Sequence, residues 1–284
     1  MSLFFSYRRG DKGQTVADIQ QALNTTQGAK LTVDGIYGAQ TDKAVEKVTG
    51  RHDTQFRFAS TSVFTDIQIP QIAIADISDY QYSVDFEALR AEGVRGVIIK
   101  ASEGFDWQTK KVERFREAKE AGLLVGAYHF GRPDLHSEAY APERERGNFN
   151  SVIDQAGIRL DLKPVYDFED GDKNKDSWNV DYCIKWNPGI VYTAKWALDS
   201  LAGHDRERLL ETGASLWWAE YIRSSRKRYP TKPTAPWDEW SLWQHTSTYE
   251  TAAVKNHRGE PSSIDMNWTH KGRMRDLLDV GCKA

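Results

Sequence analysis

The segment Pro164-Val-Tyr-Asp-Phe-Glu169 sets two carboxylates either side of one aromatic residue, behind a short apolar run. On an extended strand, residues i and i+2 face the same side with backbones about 6–7 Å apart, so Asp167 and Glu169 would share a face. Carboxylates that close repel, and one should hold its proton to higher pH, more so among aromatic rings. A carboxylic acid still protonated near neutrality can protonate a glycosidic oxygen. An ionised partner can stabilise the oxocarbenium-like transition state that follows. Taken alone the pair is weak evidence, because two acids at a strand end are as readily explained by pairing with Lys or Arg.

The elements that would position this pair begin near residue 71. Apolar strand-like runs alternate with helical segments: Ile72–Ile77, Gly96–Ala101, Leu124–Phe130, Pro164–Phe168, Ile190–Thr193, Ser215–Tyr221, Ser241–Thr246 and Ser263–Met266. Amphipathic stretches such as Val112–Ala121 and Asn179–Lys185 lie between several of them. Strands alternating with helical crossovers predict an α/β fold, a (β/α) barrel, and the short later crossovers predict a distorted one. Barrel active sites form at the C-terminal ends of the strands. There the sequence offers Asp76, Glu103, Tyr128, Asp167 with Glu169, Tyr192, Tyr221, Trp243 with Gln244, and Asp265. Four acids (Asp76, Asp167, Glu169 and Asp265) converging on one mouth are hard to explain as solvated surface. The long segment Arg132–Arg146 reads as a solvated excursion or a groove wall, and the stretch Thr248–Pro261 before the last strand is charged rather than glycine-rich.

Residues 13–49 read as a separate, small all-α unit. Val16, Ile19, Gln20 and Leu23 fall at helical spacing, the Asp34-Gly35 turn follows, and Thr41 is placed to N-cap a helix holding Ala44, Val45 and Val48. The expected organisation is a helical domain over 1–50, a linker over 51–70 and the barrel over 71–284.

Composition excludes several classes. A net charge of −3 gives no reason to expect nucleic-acid binding. The two cysteines, Cys183 and Cys282, form no C-x-x-C, and the seven histidines include no H-E-x-x-H, so neither a metal nor another cofactor is expected. Asp170–Asp176 lacks the downstream glutamate of a calcium loop and reads as a turn. Met1–Arg9 lacks the apolar core of a signal peptide, and no run is long enough to span a membrane.

Two resemblances join these readings. Gln20–Leu23, Val33–Gly38 and Thr41–Val45 fit the pattern QxxL…VDGxxGxxTxxAV and resemble the peptidoglycan-binding type 1 domain. Ala75-Asp-Ile-Ser78, Ile98–Gly104, Gly126–Phe130, Pro164–Glu169, Val191–Thr193, Leu216–Tyr221, Leu242–Gln244 and Ile264–Asn267, in that order, resemble glycoside hydrolase family 25, the Chalaropsis-type muramidases. The resemblance implies cleavage of the β-1,4 bond from N-acetylmuramic acid to N-acetylglucosamine in bacterial peptidoglycan. It implies Glu169 as general acid/base, Asp167 as its partner, Asp76 and Asp265 as site-shaping acids, and Tyr128, Tyr192, Trp243 and Gln244 along the groove. With no signal peptide, it further implies a phage endolysin made in the host cytoplasm, let through the membrane by a holin, acting on the cell wall as a monomer. A catalytically silent wall-binding barrel is the alternative of another class. A chitinase-like hydrolase is a second, though Val165 stands where that family's acidic strand motif needs an Asp.

Overall fold

The computed structural model describes residues 16–17, 20–21, 23–24, 28–49, 72–171, 175–221, 230, 233, 235–270 and 274–279 of the chain. The expected linker 51–70, the first nine residues, Ile19 and Cys282 lie outside them.

In the N-terminal unit, helical Val16 and Leu23 bury against Tyr37, and Ala29, Leu31 and Ala44 pack around this small core. Gln20 organises it. Its buried Nε2 donates to Asp34 Oδ1 (2.9 Å), Ile36 O (3.0 Å) and Thr41 Oγ1 (3.1 Å). Its Oε1 accepts from the amides of Asp34 and Gly35. Gly35 supplies the left-handed φ of 69° that the turn needs. Helix α1 spans Ala39–Thr49, so Thr41 lies inside its first turn and is not the N-cap; its hydroxyl is the acceptor for Gln20.

The barrel strands are β1 (Ala73–Ile77), β3 (Val94–Glu103), β5 (Leu124–Phe130), β6 (Val165–Asp167), β7 (Ile190–Ala194), β8 (Ser215–Ala219), β9 (Leu242–Lys255) and β10 (Pro261–Thr269). Two short strands, β2 (Ser83–Val84) and β4 (Trp107–Gln108), attach to β9 and β3. Neighbours from β1 through β3, β5, β6, β7, β8 and β9 pair in parallel. β10 closes the circle by pairing antiparallel with both β9 and β1.

The antiparallel closure has a simple cause. A parallel pair needs a crossover of about a dozen residues or more, and β9 reaches β10 through residues 256–260 alone. The charged stretch Thr248–Pro261 is therefore the tip of a long hairpin, turned by Asn256 N–H to Glu260 O (3.0 Å) and a Gly259 φ of 77°.

The crossovers from β1 to β8 carry helices α2 (Phe86–Ala91), α3 (Arg114–Glu120), α4 (Ala141–Ala156), α5 (Asp176–Trp186), α6 (Lys195–Ser200) and α7 (Gly203–Arg208). Arg132–Arg146 is not a solvated excursion. Its second part is the first turns of α4, where Ala141, Pro142 and Glu145 are buried.

Strand alternation divides the core into two layers. Outward residues such as Ala75, Val97, Val125, Tyr166, Leu216, Trp218 and Met266 pack against the helices. Inward residues Ile74, Ile98, Val165, Ile190, Trp217 and Leu242 fill the barrel, and Leu277 and Leu278 from α8 (Met274–Leu277) and the residue after it join them. Space inside is tight: a Cβ at Gly126 would meet Leu162 at 3.1 Å and Ile98 at 3.2 Å.

Candidate active site

The inward positions turn polar one step further along the strands. Ile74 is followed by Asp76, Ile98 by Lys100, Val165 by Asp167, Ile190 by Tyr192 and Leu242 by Gln244, each two residues on and so on the same face. These side chains, with Glu103, Tyr128, Glu169, Trp217 and Asp265, line a cleft of about 520 Å³, within the usual range for ligand pockets.

Asp265 reaches this mouth by an unexpected route. It does not end a parallel strand but lies within antiparallel β10, directly opposite Asp76. Two facing carboxyls repel, and the neighbourhood is arranged to tolerate them. Gln244 Nε2 donates to Asp76 Oδ2 (3.0 Å) and to Asp265 Oδ2 (3.2 Å). Asn267 Nδ2 adds a bond of 2.7 Å to Asp76 Oδ2, while Asn267 Oδ1 accepts from Trp217 Nε1 at 2.7 Å. The Gln244 orientation is fixed in turn by hydroxyls of Tyr192 and Tyr221, each 2.8 Å from Oε1.

The D-x-E pair is held by its neighbour strand: Phe168 N–H donates to Tyr192 O (2.8 Å) and Thr193 Oγ1 donates to Phe168 O (2.9 Å). Asp167 and Glu169 both line the cleft, whereas Phe168 packs in the outer layer. Asp167 Oδ1 is buried and accepts no hydrogen bond among the described residues.

Burial pushes all four carboxyls above their usual range. Asp76 is raised to about 6 by burial, with the Asn267 and Gln244 hydrogen bonds opposing the rise. Asp265 is pushed to about 8 by burial, then by the charges of Asp76 and Glu169. Asp167 stands well above a normal Asp because of burial and the adjacent Glu169. Glu169 is also raised by burial, against a hydrogen bond from Tyr192. The site thus retains protons near neutrality, and Asp76, the best hydrogen-bonded of the four, ionises readily.

Glu103 owes its place to a bulge. A regular strand would send residues i and i+3 to opposite faces. The register of β3 on β5 slips between Lys100 and Ser102, so both Lys100 and Glu103 face the cleft. Lys100 Nζ lies 2.7 Å from Glu103 Oε2, and Arg132 Nη1 lies 2.9 Å from Glu103 Oε1. Burial would raise the Glu103 carboxyl, but these two cations hold it below its usual range. Behind the bulge, a fully buried chain runs from Ser102 Oγ to His129 Nδ1 (2.8 Å) and from His129 Nε2 to Glu145 Oε2 (2.7 Å). It ties the bulged strand to β5 and α4.

Of the residues expected at the site, Asp76, Glu103, Tyr128, Asp167, Glu169, Tyr192, Gln244 and Asp265 line the cleft. Tyr221 stands half-exposed at its rim, bonded to Gln244. Trp243 does not reach the groove. Its neighbour Gln244 points inward, so Trp243 points outward, buried beside Trp240 with Nε1 donating to Glu220 O (2.9 Å). Sequence reasoning missed Trp217, Arg132 and Asn267; the two-residue spacing from Asp265 was the signal for Asn267. Among the described residues no cluster of His, Cys, Asp or Glu could hold a metal ion. Cys183 is buried, its thiol pushed up by burial.

The chain is similar to known proteins in sequence and in fold. The chain is 38% identical over 191 residues to an N,O-diacetylmuramidase of Arthroderma benhamiae, a stretch covering 61% of this chain and 76% of the relative. It is 39% identical over 95 residues to the autolytic lysozyme of Clostridium acetobutylicum, spanning 33% of this chain but only 27% of that longer protein. In fold it resembles the spore cortex lytic enzyme SleM of Clostridium perfringens, with a TM-score of 0.61 at 21% identity over 73% of this chain and 69% of the other. The family description "Glycosyl hydrolases family 25" matches residues 75–254, which hold Asp76, Asp167 and Glu169 and every barrel strand from β3 to β8. This chain belongs to glycosyl hydrolases family 25.

Proposed function

We propose that the protein is an N-acetylmuramidase, a lysozyme, hydrolysing the β-1,4 bond from N-acetylmuramic acid to N-acetylglucosamine in peptidoglycan. The observation that carries this is the Asp167/Glu169 pair, two raised carboxyls in an open cleft where a second carboxyl pair, Asp76 and Asp265, is bridged by one amide. Glu169 delivers the proton to the glycosidic oxygen; burial, with the charges of Asp76 and Asp170, raises its carboxyl and so favours the protonated form, and Asp167 stands beside it. Asp76, at about 6, ionises below neutrality, and its charge stabilises the positive character developing at the sugar. Asp265, mostly protonated at its value of about 8, donates to or polarises the substrate. Tyr128, Tyr192 and Trp217 supply the flat walls of the groove.

The wider reading is of an endolysin-type enzyme acting on the cell wall as a monomer after a separate holin opens its path, with residues 1–50 binding wall. Among the described residues no helix is long and apolar enough to cross a membrane.

The test is digestion of purified peptidoglycan by the wild type and Glu169→Gln, with mass spectrometry of the products. Reducing N-acetylmuramic acid ends are expected from the wild type, with at least a hundredfold loss in the variant. Release that survives the substitution refutes the assignment of Glu169.

A further inference from the structure

Two cations behind the cleft sit where elementary electrostatics disfavours them. Arg114 opens α3, at the positive end of the helix dipole, and is only 4% exposed. Lys111, three residues earlier, is partly buried. Burial pushes both groups below their usual range, Lys111 further through the charge of Arg114, against the charges of Asp79 and Glu113. Burying charge costs free energy that apolar side chains would not, so packing alone does not account for the pair.

Their partners are backbone carbonyls of one loop, residues 78–82 after β1. Arg114 Nη1 donates to Ser78 O (2.9 Å), and Nη2 donates to Gln81 O and to Tyr82 O (3.1 Å). Lys111 Nζ donates to Asp79 O (3.3 Å), Gln81 O (2.9 Å) and Tyr82 O (3.1 Å). Asp79 fastens the loop a second way, accepting from Thr109 Oγ1 (2.7 Å) and the Lys110 amide (3.3 Å). With these carbonyls drawn to the cations, Ser78, Tyr80 and Gln81 line the cleft, where Tyr80 is 92% exposed. Gln81 joins the loop to the next wall: its Oε1 accepts from Ser78 N–H (2.9 Å), and its Nε2 donates to Ser263 O (3.3 Å), two residues before Asp265. Neither cation lines the cleft itself.

We propose that Arg114 and Lys111 are positioning residues for substrate, a two-cation clamp that holds the 78–82 loop rigid as one wall of the cleft. The clamp sets affinity for the glycan through Tyr80 and its neighbours without touching it. Chemistry is spared, because Asp76 and Asp265 are held by the amides of Gln244 and Asn267 and by the β1–β10 ladder rather than by the loop. The part concerning glycan rests on the reading of the protein as a peptidoglycan glycosidase.

The experiment compares the full chain with Lys111→Met, Arg114→Met, Arg114→Lys, Tyr80→Ala and the Tyr80→Ala/Arg114→Met double variant. Thermal melts check folding, and the partly exposed Lys111 keeps the test open should Arg114→Met fail to fold. Amide exchange at Ser78 and Tyr82 should accelerate at least tenfold in Arg114→Met. On soluble glycan fragments KM should rise about threefold for Lys111→Met and about tenfold for Arg114→Met, with kcat within about twofold. Arg114→Lys should recover most of the loss, and in the Tyr80→Ala background Arg114→Met should change KM by less than about twofold. Loop exchange that does not move in either Met variant overturns the clamp. A KM that holds while exchange accelerates, or a loss carried by kcat, overturns the positioning role. Accelerated exchange in a protein whose wild type releases no reducing N-acetylmuramic acid ends refutes the muramidase reading and leaves the clamp standing.

Discussion

Replacing Gln244 by Met tests the electrostatics of the cleft directly. The side chains are similar in length and volume, so packing inside β9 is kept, but the thioether cannot donate. Lost are the amide bonds of 3.0 Å to Asp76 and 3.2 Å to Asp265. A hydrogen bond to a charged acceptor contributes about 1.5–3 kcal/mol. At about 1.4 kcal/mol per pKa unit, losing the one on Asp76 raises that carboxyl by about 1–2 units. From about 6 it moves to about 7–8. Because the ionised form is the active one in the mechanism above, the acidic limb of the kcat/KM profile on soluble glycan fragments should shift up by the same amount. Activity at pH 6 should fall about five- to fiftyfold, and the loss should shrink as pH rises toward 8. Carboxyl NMR of labelled Asp gives the midpoint independently. An acidic limb that stays in place while the NMR midpoint moves would show that Asp76 is not the group whose ionisation limits the reaction. A midpoint that stays in place would show that the bridging amide does not govern Asp76.

Other perturbations follow from the same geometry. Asp265 has a folded value of about 8, above that of an unfolded Asp, so its contribution to stability is present at low pH and is lost as pH rises through about 8. Asp265→Asn should therefore gain Tm relative to the wild type progressively between about pH 4 and 8 and level off above that, and calorimetric melts showing no such trend would contradict it. Ser102→Ala leaves His129 Nδ1 buried without its partner and should cost about 1–3 kcal/mol in denaturant unfolding. It should also depress activity, because Glu103 depends on that bulge. Gln20→Leu removes the bonds that hold the 34–41 turn, so amide exchange over residues 28–38 should accelerate at least tenfold. Hydrolysis of soluble fragments, which needs only the barrel, should stay within about twofold.

Much of this site was legible because barrel interiors obey a two-residue period. Once Asp167 is placed inward, Val165 below it and Glu169 beyond it follow, and the same rule selects Tyr192 from Ile190 and Gln244 from Leu242. That rule, applied strictly, also rejects Trp243, since two consecutive strand residues cannot both face the groove. Glu103 shows the opposite failure: strict alternation from Lys100 sends it outward, and only the bulge, held by a histidine and a glutamate distant in sequence, brings it in. Arg132 escaped because a loop residue has no period to read. The direction of β10 was readable in principle from the short 256–260 connection, but strand ends alone do not reveal it. Thr41 looked like a cap locally, and a partner twenty-one positions away decided its role.

The strand that closes the barrel has a kinetic consequence. Asp76 meets Asn267 across 191 residues of sequence, a contact order at the costly end for any folding nucleus. During synthesis the first strand must wait, unpaired along one side, until the terminal hairpin emerges, and before then both β1 and β9 present open hydrogen-bonding edges. Asp76, Asp265 and the amides of Gln244 and Asn267 come together only in that last docking step. A nascent or truncated chain therefore carries an aggregation-prone sheet but no functioning centre, so hydrolytic competence is a late, all-or-none product of completing the fold.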